Sequence, residues 1–275
     1  MRIGLRPDDL QALRSDQTVC FEPRRRLYGI GMGKTGTNVV ASMFTGVAAA
    51  HEPEAEGLIE ALLEYESGRS DWRALRDFVV ERDRRLGLVV DVSNLNIFLV
   101  DLFLELDPAA RFVLTIRDPW SWMDSIGNHY LRRPPNERWR AFADHRFGQA
   151  GAPHAPEETA LADAGLYPLA GYLGYWRAHM DKALDTVPTD RLLVVRTERI
   201  ATEAGRIAEF GGLAGANVDE SRIREYRNPA KQPILQHVPR EHVDTQVRTH
   251  CGPLVGRFFP EIRSVRDVGV RAVEP

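Results

Sequence analysis

Short apolar runs alternate along the chain with stretches whose apolar positions recur every three to four residues. Leu27 to Ile30 is the first strand-like run. From Asp71, a capping residue, the positions Trp72, Leu75, Phe78, Val79 and Arg82 keep helical spacing until Gly87 supplies a stop. Leu88-Val89-Val90-Asp91 predicts a buried strand, and Asn94 to Leu106 the helix after it, ended by Asp107-Pro108. Arg111 to Arg117, rich in β-branched residues, predicts a third strand. Pro119 then stands at the first position of a helix, where a missing N–H costs nothing. A further helix over Tyr172 to Leu184 leads to a fourth strand, Arg191 to Val195. Strands alternating with helices predict an α/β fold, a parallel sheet flanked by helices on both faces.

A chain of 275 residues with 43% hydrophobic content can bury one large core. The expected organisation is a single domain over 1–275. It carries a short N-terminal extension (1–25), an elaborated helix-and-loop region (132–168, around a short helix from Glu137 to Arg146) and a C-terminal helical segment (214–275). The net charge of −3 argues against a general nucleic-acid or anionic-membrane binder. Cys20 and Cys251 are far apart and imply neither a disulfide framework nor a metal site. Met1 to Asp9 lacks the apolar core of a signal peptide, and Leu95 to Leu106 is broken by Asp101 and Glu105, so no membrane span is expected. The expected setting is the cytoplasm. The bias of arginine over lysine leads to the expectation of a GC-rich bacterial genome, a statement about codons and not about function.

One segment changes this general picture. After the first strand comes Gly31-Met32-Gly33-Lys34-Thr35-Gly36-Thr37-Asn38, with the helical run Val39 to Phe44 behind it. Glycines let the backbone turn sharply with its N–H groups inward, and a following helix adds its positive end; this is an anion cradle, and phosphate is its usual occupant. Lys34 is one of three lysines, with Lys182 and Lys231. A compact ammonium kept where arginine is the local default suits a point charge on a phosphate oxygen. Three phosphate-loop types compete for the segment. The nucleoside-triphosphate loop needs a glycine where Tyr28 stands. The dinucleotide fingerprint is formally met by Gly31, Gly33 and Gly36, without a clear second strand ending in an acid. The third type carries its lysine at the head of a K-[ST]-G-[ST]-[TSN] run, as Lys34 to Asn38 does.

Arg117 closes the third strand, and Ser125 follows eight residues later, two turns into the next helix. In an open parallel sheet ligands bind beyond the carboxyl ends of the strands. A guanidinium and a hydroxyl placed there can hold a second phosphate, the arginine by a two-pronged charge-assisted bond. The competing reading is an arginine paired with Asp118 and a serine on a helix surface.

Lys34-Thr35-Gly36-Thr37-Asn38 resembles the 5′-phosphosulfate loop, K-[ST]-G-[ST]-[TSN], of sulfotransferases that use 3′-phosphoadenosine-5′-phosphosulfate (PAPS). The Arg117–Ser125 interval is similar to that family's 3′-phosphate motif. Leu193 to Ile200 resembles its V-R-Y-E-D-L segment, with Thr197 for the tyrosine and Arg199 for the aspartate. The likeness is to the bacterial and Golgi-type branch. Val39 stands where cytosolic members carry an adenine-stacking tryptophan, and their late G-x-x-G-D-W-K segment is absent. The resemblance implies a phosphate-loop sulfotransferase fold with extra helices, PAPS as co-substrate, adenosine 3′,5′-bisphosphate (PAP) as product, and no required metal. It places Gly33, Lys34, Thr35, Gly36, Thr37 and Asn38 on the 5′ side, and Arg117 and Ser125 on the 3′-phosphate. Trp120, Trp122 and Tyr130 are candidates for an aromatic face on adenine.

Sulfuryl transfer needs a base on the acceptor and positive charge on the leaving phosphate. Lys34 meets the second need. Family members of this branch use a glutamate after the loop's helix, and Glu52, behind the apolar run Val47 to Ala50, resembles it; that run gives the carboxylate a partly dry setting suited to a base. His51 and Asp91 are the next candidates, and the plainer reading of Glu52 or Glu54 is as a cap of the following helix. The implied acceptor is a small hydroxylated or amino metabolite, such as a sugar or natural product, recognised by the 132–168 region. Two other functions stay open. A nucleotide-dependent kinase or NTPase would use Asp91, at a strand end, for magnesium. A non-catalytic adenine-nucleotide-binding regulator would keep the loop alone.

Overall fold

The computed structural model describes residues 3–16, 19–22, 24–148, 153–213, 217–219 and 234–268. The expected C-terminal helical segment therefore lies in part outside the described residues. By their contacts the described residues gather into two compact units: one of 3–116 with 181–219, the other of 117–180 with 234–268.

The first unit holds the sheet. Five strands run parallel in the order β3 (Ala49–His51), β4 (Val90–Val92), β1 (Leu27–Gly29), β5 (Arg111–Ile116) and β6 (Leu192–Arg196). Parallel neighbours need crossovers, supplied here by α2 (Thr37–Ser42), α3 (Ala55–Glu66), α4 (Trp72–Leu86) and α5 (Val100–Leu106). A short pair, β2 (Phe44–Thr45) with β7 (Asn217–Val218), stands apart. The chain moves from β1 outward to β3 and β4, then crosses back over β1 to β5. The direction of winding therefore reverses at β1, and the crevice beyond its carboxyl end is where such sheets bind ligands.

Side-chain alternation sets the two faces of the sheet. Leu27, Val90, Val92, Val113, Leu193 and Val195 point to a core shared with α2 and α10 (Ala204–Phe210). Tyr28 points the other way and stacks on Phe103 of α5, ring centroids 3.9 Å apart. Gly29 is a packing glycine, because a Cβ there would run into the Val92 side chain. The helix α4 begins and ends as its sequence predicts. The Asp71 side chain accepts from the Ala74 N–H at 3.0 Å, and Gly87 closes the helix in the left-handed conformation. The strand expected over 88–91 starts two residues later and ends one later, at Val90–Val92, where burial becomes complete.

The second unit is helical. It opens with α6 (Pro119–Arg132), capped by Asp118 with Pro119 at its first position, and continues through α7 (Glu137–Ala143) and α8 (Thr159–Asp163). The helix α9 (Leu169–Thr186) runs from it back to the first unit, and α11 (Arg240–Phe258) closes it. Trp120 and Trp122 are each 1% exposed. Trp120 donates its indole N–H to Asp244 at 2.8 Å, and Trp122 sits among Phe147, Tyr172 and Tyr175. Both are core residues, which corrects the expectation that they face adenine: on a helix their spacing serves burial. Among the described residues, no helix is long and apolar enough to cross a membrane.

Candidate active site

Residues 30–36 join β1 to α2 as the glycine pattern predicts. Ile30 extends the ladder by donating to Val113 O at 2.9 Å, and Thr35 N–H closes the turn onto Met32 O at 3.2 Å. The Thr35 hydroxyl is fully buried and donates to the same carbonyl at 2.7 Å. Its one proton is used there, so Thr115 is the donor in the 2.8 Å bond between the two hydroxyls. Thr35 thus braces the loop from beneath. Gly31 is compulsory for the same reason: a Cβ would overlap the Thr115 hydroxyl. Gly36 takes φ +90°, and a Cβ there would meet the Ile200 side chain, whereas at Gly33 it would meet nothing within 4 Å. The Thr197 hydroxyl lies 2.9 Å from both Thr35 O and Ile116 O, tying the loop to the end of β5. The residue that stands in for the family's tyrosine is therefore a structural strut of the loop.

The edge strand β3 delivers the next two candidates. Its register partner sets His51 beside Val92, and Glu52 N–H continues the ladder to Val92 O at 2.8 Å. The His51 imidazole Nε2 is 3.0 Å from the Thr37 hydroxyl, the first residue of α2. Burial holds the His51 pKa below its ordinary value, against the pull of Glu52 and Asp91. The Glu52 carboxylate accepts a hydrogen bond from the Asn94 amide. Residues 47–50 are partly exposed and form no continuous apolar wall, so the polar neighbour Asn94 replaces the dry setting the sequence predicts.

Asp91 has a different occupation. Its carboxylate pairs with Arg82 at 2.7 Å, with side chains 9% and 3% exposed, and accepts from the Asn96 amide at 3.3 Å. Arg82 also donates to Pro53 O at 3.0 and 3.4 Å. A carboxylate so committed is a poor general base and a poor magnesium ligand, which removes the feature that favoured a kinase. Three residues further along α4, Arg85 grips Glu54 with two bonds of 2.9 and 2.5 Å and holds its carboxyl below the usual carboxylate range.

Among the described residues, the non-glycine positions with left-handed backbone are Lys34 (φ 71°), Glu52 (φ 50°) and Glu54 (φ 54°). Each costs of order 1–3 kcal/mol and persists only where its surroundings impose it, a pattern that gathers at active sites. Both residues to which the sequence assigns chemistry are among them.

Arg117 and Ser125 belong to the second unit. Arg117 follows β5 directly and is half-buried. Its Nε–H donates to the Ser121 hydroxyl at 2.9 Å, and Ser121 donates to Asp118, so arginine and cap are joined through a serine. The Trp176 indole fixes the Arg117 carbonyl at 3.1 Å. Ser125 lies buried in α6. No local pattern in the sequence marks Asn94, Ser121 or the role of Arg82. The one available signal was Arg82 itself, a charge on the apolar stripe of α4.

A phosphate-loop turn at the switch point of a parallel sheet defines the class. Residues 26–199 match the family model described as a sulfotransferase domain, and the chain belongs to that family. No curated protein matches it. Similar solved structures are a sulfotransferase from Alicyclobacillus acidocaldarius, the sulfotransferase domain of the Synechococcus PCC 7002 olefin synthase, and a mouse sulfotransferase complexed with PAP. The first is 15% identical, with 86% of this chain and 96% of that chain covered and a TM-score of 0.49. The second is 16% identical over 76% and 79%, with a TM-score of 0.41. The third is 15% identical over 95% and 94%, with a TM-score of 0.40.

Proposed function

We propose that this chain transfers the sulfuryl group of PAPS to a hydroxyl or amine of a small metabolite. The bond between sulfur and the bridging phosphate oxygen breaks, a bond from sulfur to the acceptor forms, PAP leaves, and the acceptor's proton passes to Glu52. Lys34 stabilises the charge that grows on the leaving phosphate. The backbone of Gly33 and Gly36, with Thr37 and Asn38, forms the 5′ cradle, and Thr35, expected there too, braces it from beneath with both its donors on Met32 O. Arg117 and Ser125 take the 3′-phosphate, an assignment that rests on their spacing in the sequence. The observation that carries the reading is the coincidence of Lys34 and Glu52 with the left-handed positions of two loops that leave the carboxyl edge of one sheet. Melting curves test it. PAP without magnesium should raise the melting temperature, by about 2.7 kcal/mol of added stability at ~100 times its dissociation constant, and ATP with magnesium should do little. The reverse order would favour a kinase.

A further inference from the structure

The turn carrying Glu52 is built from two residues, Glu52 and Glu54, in a conformation that side chains avoid, with Pro53 between them. No glycine relieves it. What holds it is visible in α4. Arg82, almost wholly buried, points its guanidinium at two acceptors together: the Pro53 carbonyl in the middle of the turn and the Asp91 carboxylate in β4. Asp91 is itself fixed by Asn96. The strand side of the turn is pinned by Glu52 N–H on Val92 O, in the same strand as Asp91. The fork therefore references the turn to the sheet, and a planar five-donor group is what such a two-acceptor geometry demands.

We infer that Arg82 is a positioning residue for the transfer reaction: through Pro53 it fixes the backbone of Glu52 and so aims its carboxylate at the acceptor's proton. The inference rests on the reading of Glu52 as base. Asp91 serves as the anchor that orients the guanidinium and neutralises it away from water. Arg85 on Glu54 is an exposed second grip and matters less.

A double-mutant cycle tests this. Arg82→Lys keeps a cation for Asp91 but cannot also fork onto Pro53 O. It should lower kcat by about 10–10²-fold, the cost of a misplaced catalytic group, while the KM for PAPS stays within about twofold. In the Glu52→Gln background the same change should alter kcat by less than about twofold, because there is no base left to aim. An equal loss in both backgrounds would show that Arg82 is merely structural and overturn the inference, with the reading of Glu52 intact. Full turnover of Glu52→Gln alone would overturn that reading, and the inference with it. Should Arg82→Lys fail to fold, Arg82→Gln with Asp91→Asn removes both buried charges together and takes its place in the cycle.

Discussion

His51 Nε2 lies 3.0 Å from Thr37 Oγ1, joining the last residue of β3 to the first residue of α2. The helix behind the glycine-rich loop and the strand that leads into the Glu52 turn are thus connected by one imidazole. Burial keeps that ring neutral to a lower pH than an unfolded histidine. More than about one pH unit above 6.5 neither state holds the proton and His51 contributes nothing to the pH dependence. As pH falls below that value the unfolded chain binds a proton first, so stability drops until the pH passes the lowered folded pKa. Urea unfolding at pH 7.5 and 5.5 should show a larger acid loss for wild type than for His51→Gln. His145 and His250, also lowered by burial, are present in both proteins and cancel. Equal losses would place His51 in contact with water.

Glu52→Gln keeps the acceptor of the Asn94 hydrogen bond and removes the proton acceptor. PAP affinity should stay near wild type while turnover falls by about 10²–10⁴-fold. Lys34→Ala should impair both. Calorimetric titration with PAP, run beside turnover measurements, separates the two, and a fully active glutamine variant would remove Glu52 from the chemistry.

Arg117→Ala should weaken PAP by roughly 1.5–3 kcal/mol and leave adenosine 5′-phosphate, which lacks the 3′-phosphate, nearly unchanged. Comparable losses for both nucleotides would mean that Arg117 serves only the Ser121–Asp118 cap.

Gly36→Ala carries two separable penalties. A left-handed alanine costs about 1–2 kcal/mol, and overlap with the Ile200 side chain about 1–3 kcal/mol more. Adding Ile200→Val removes the overlapped methyl and, measured against the Ile200→Val single variant, should return the second part alone. Chemical denaturation of the three variants measures the split; no recovery would show that conformation is the whole cost.

The sheet and its ligand edge were legible because they rest on local rules. The apolar run before Gly31, the Asp71 cap, the Gly87 stop and Pro119 each act within a few residues. The edge strand β3 was not legible, since Ala49–His51 is short, half-exposed and without alternation. The N-terminal stretch expected as an extension contains the helix α1 (Pro7–Ser15), whose signals, Pro7, Asp8 and Asp9, all lie in its first turn. Lys34, Gly36 and Thr37 could be placed by type and spacing. The links from Arg82 to Pro53 and Asp91, from Thr197 to Thr35, and from Asn94 to Glu52 join residues 9 to 162 positions apart, which no local pattern encodes.

The turn at 52–54 hangs from two ion pairs of opposite character, and ionic strength distinguishes them. Arg85–Glu54 is open to solvent and fades as salt rises. Arg82–Asp91 admits no counterions and does not. If the buried pair, through Arg82 on Pro53 O, is the grip that aims Glu52, the geometry of the proposed proton transfer is insulated from the electrolyte around the protein. The proposed electrostatic capture of a polyanionic donor has no such insulation. In concentrated salt this enzyme should grow slow to fill while each filled molecule turns over as before.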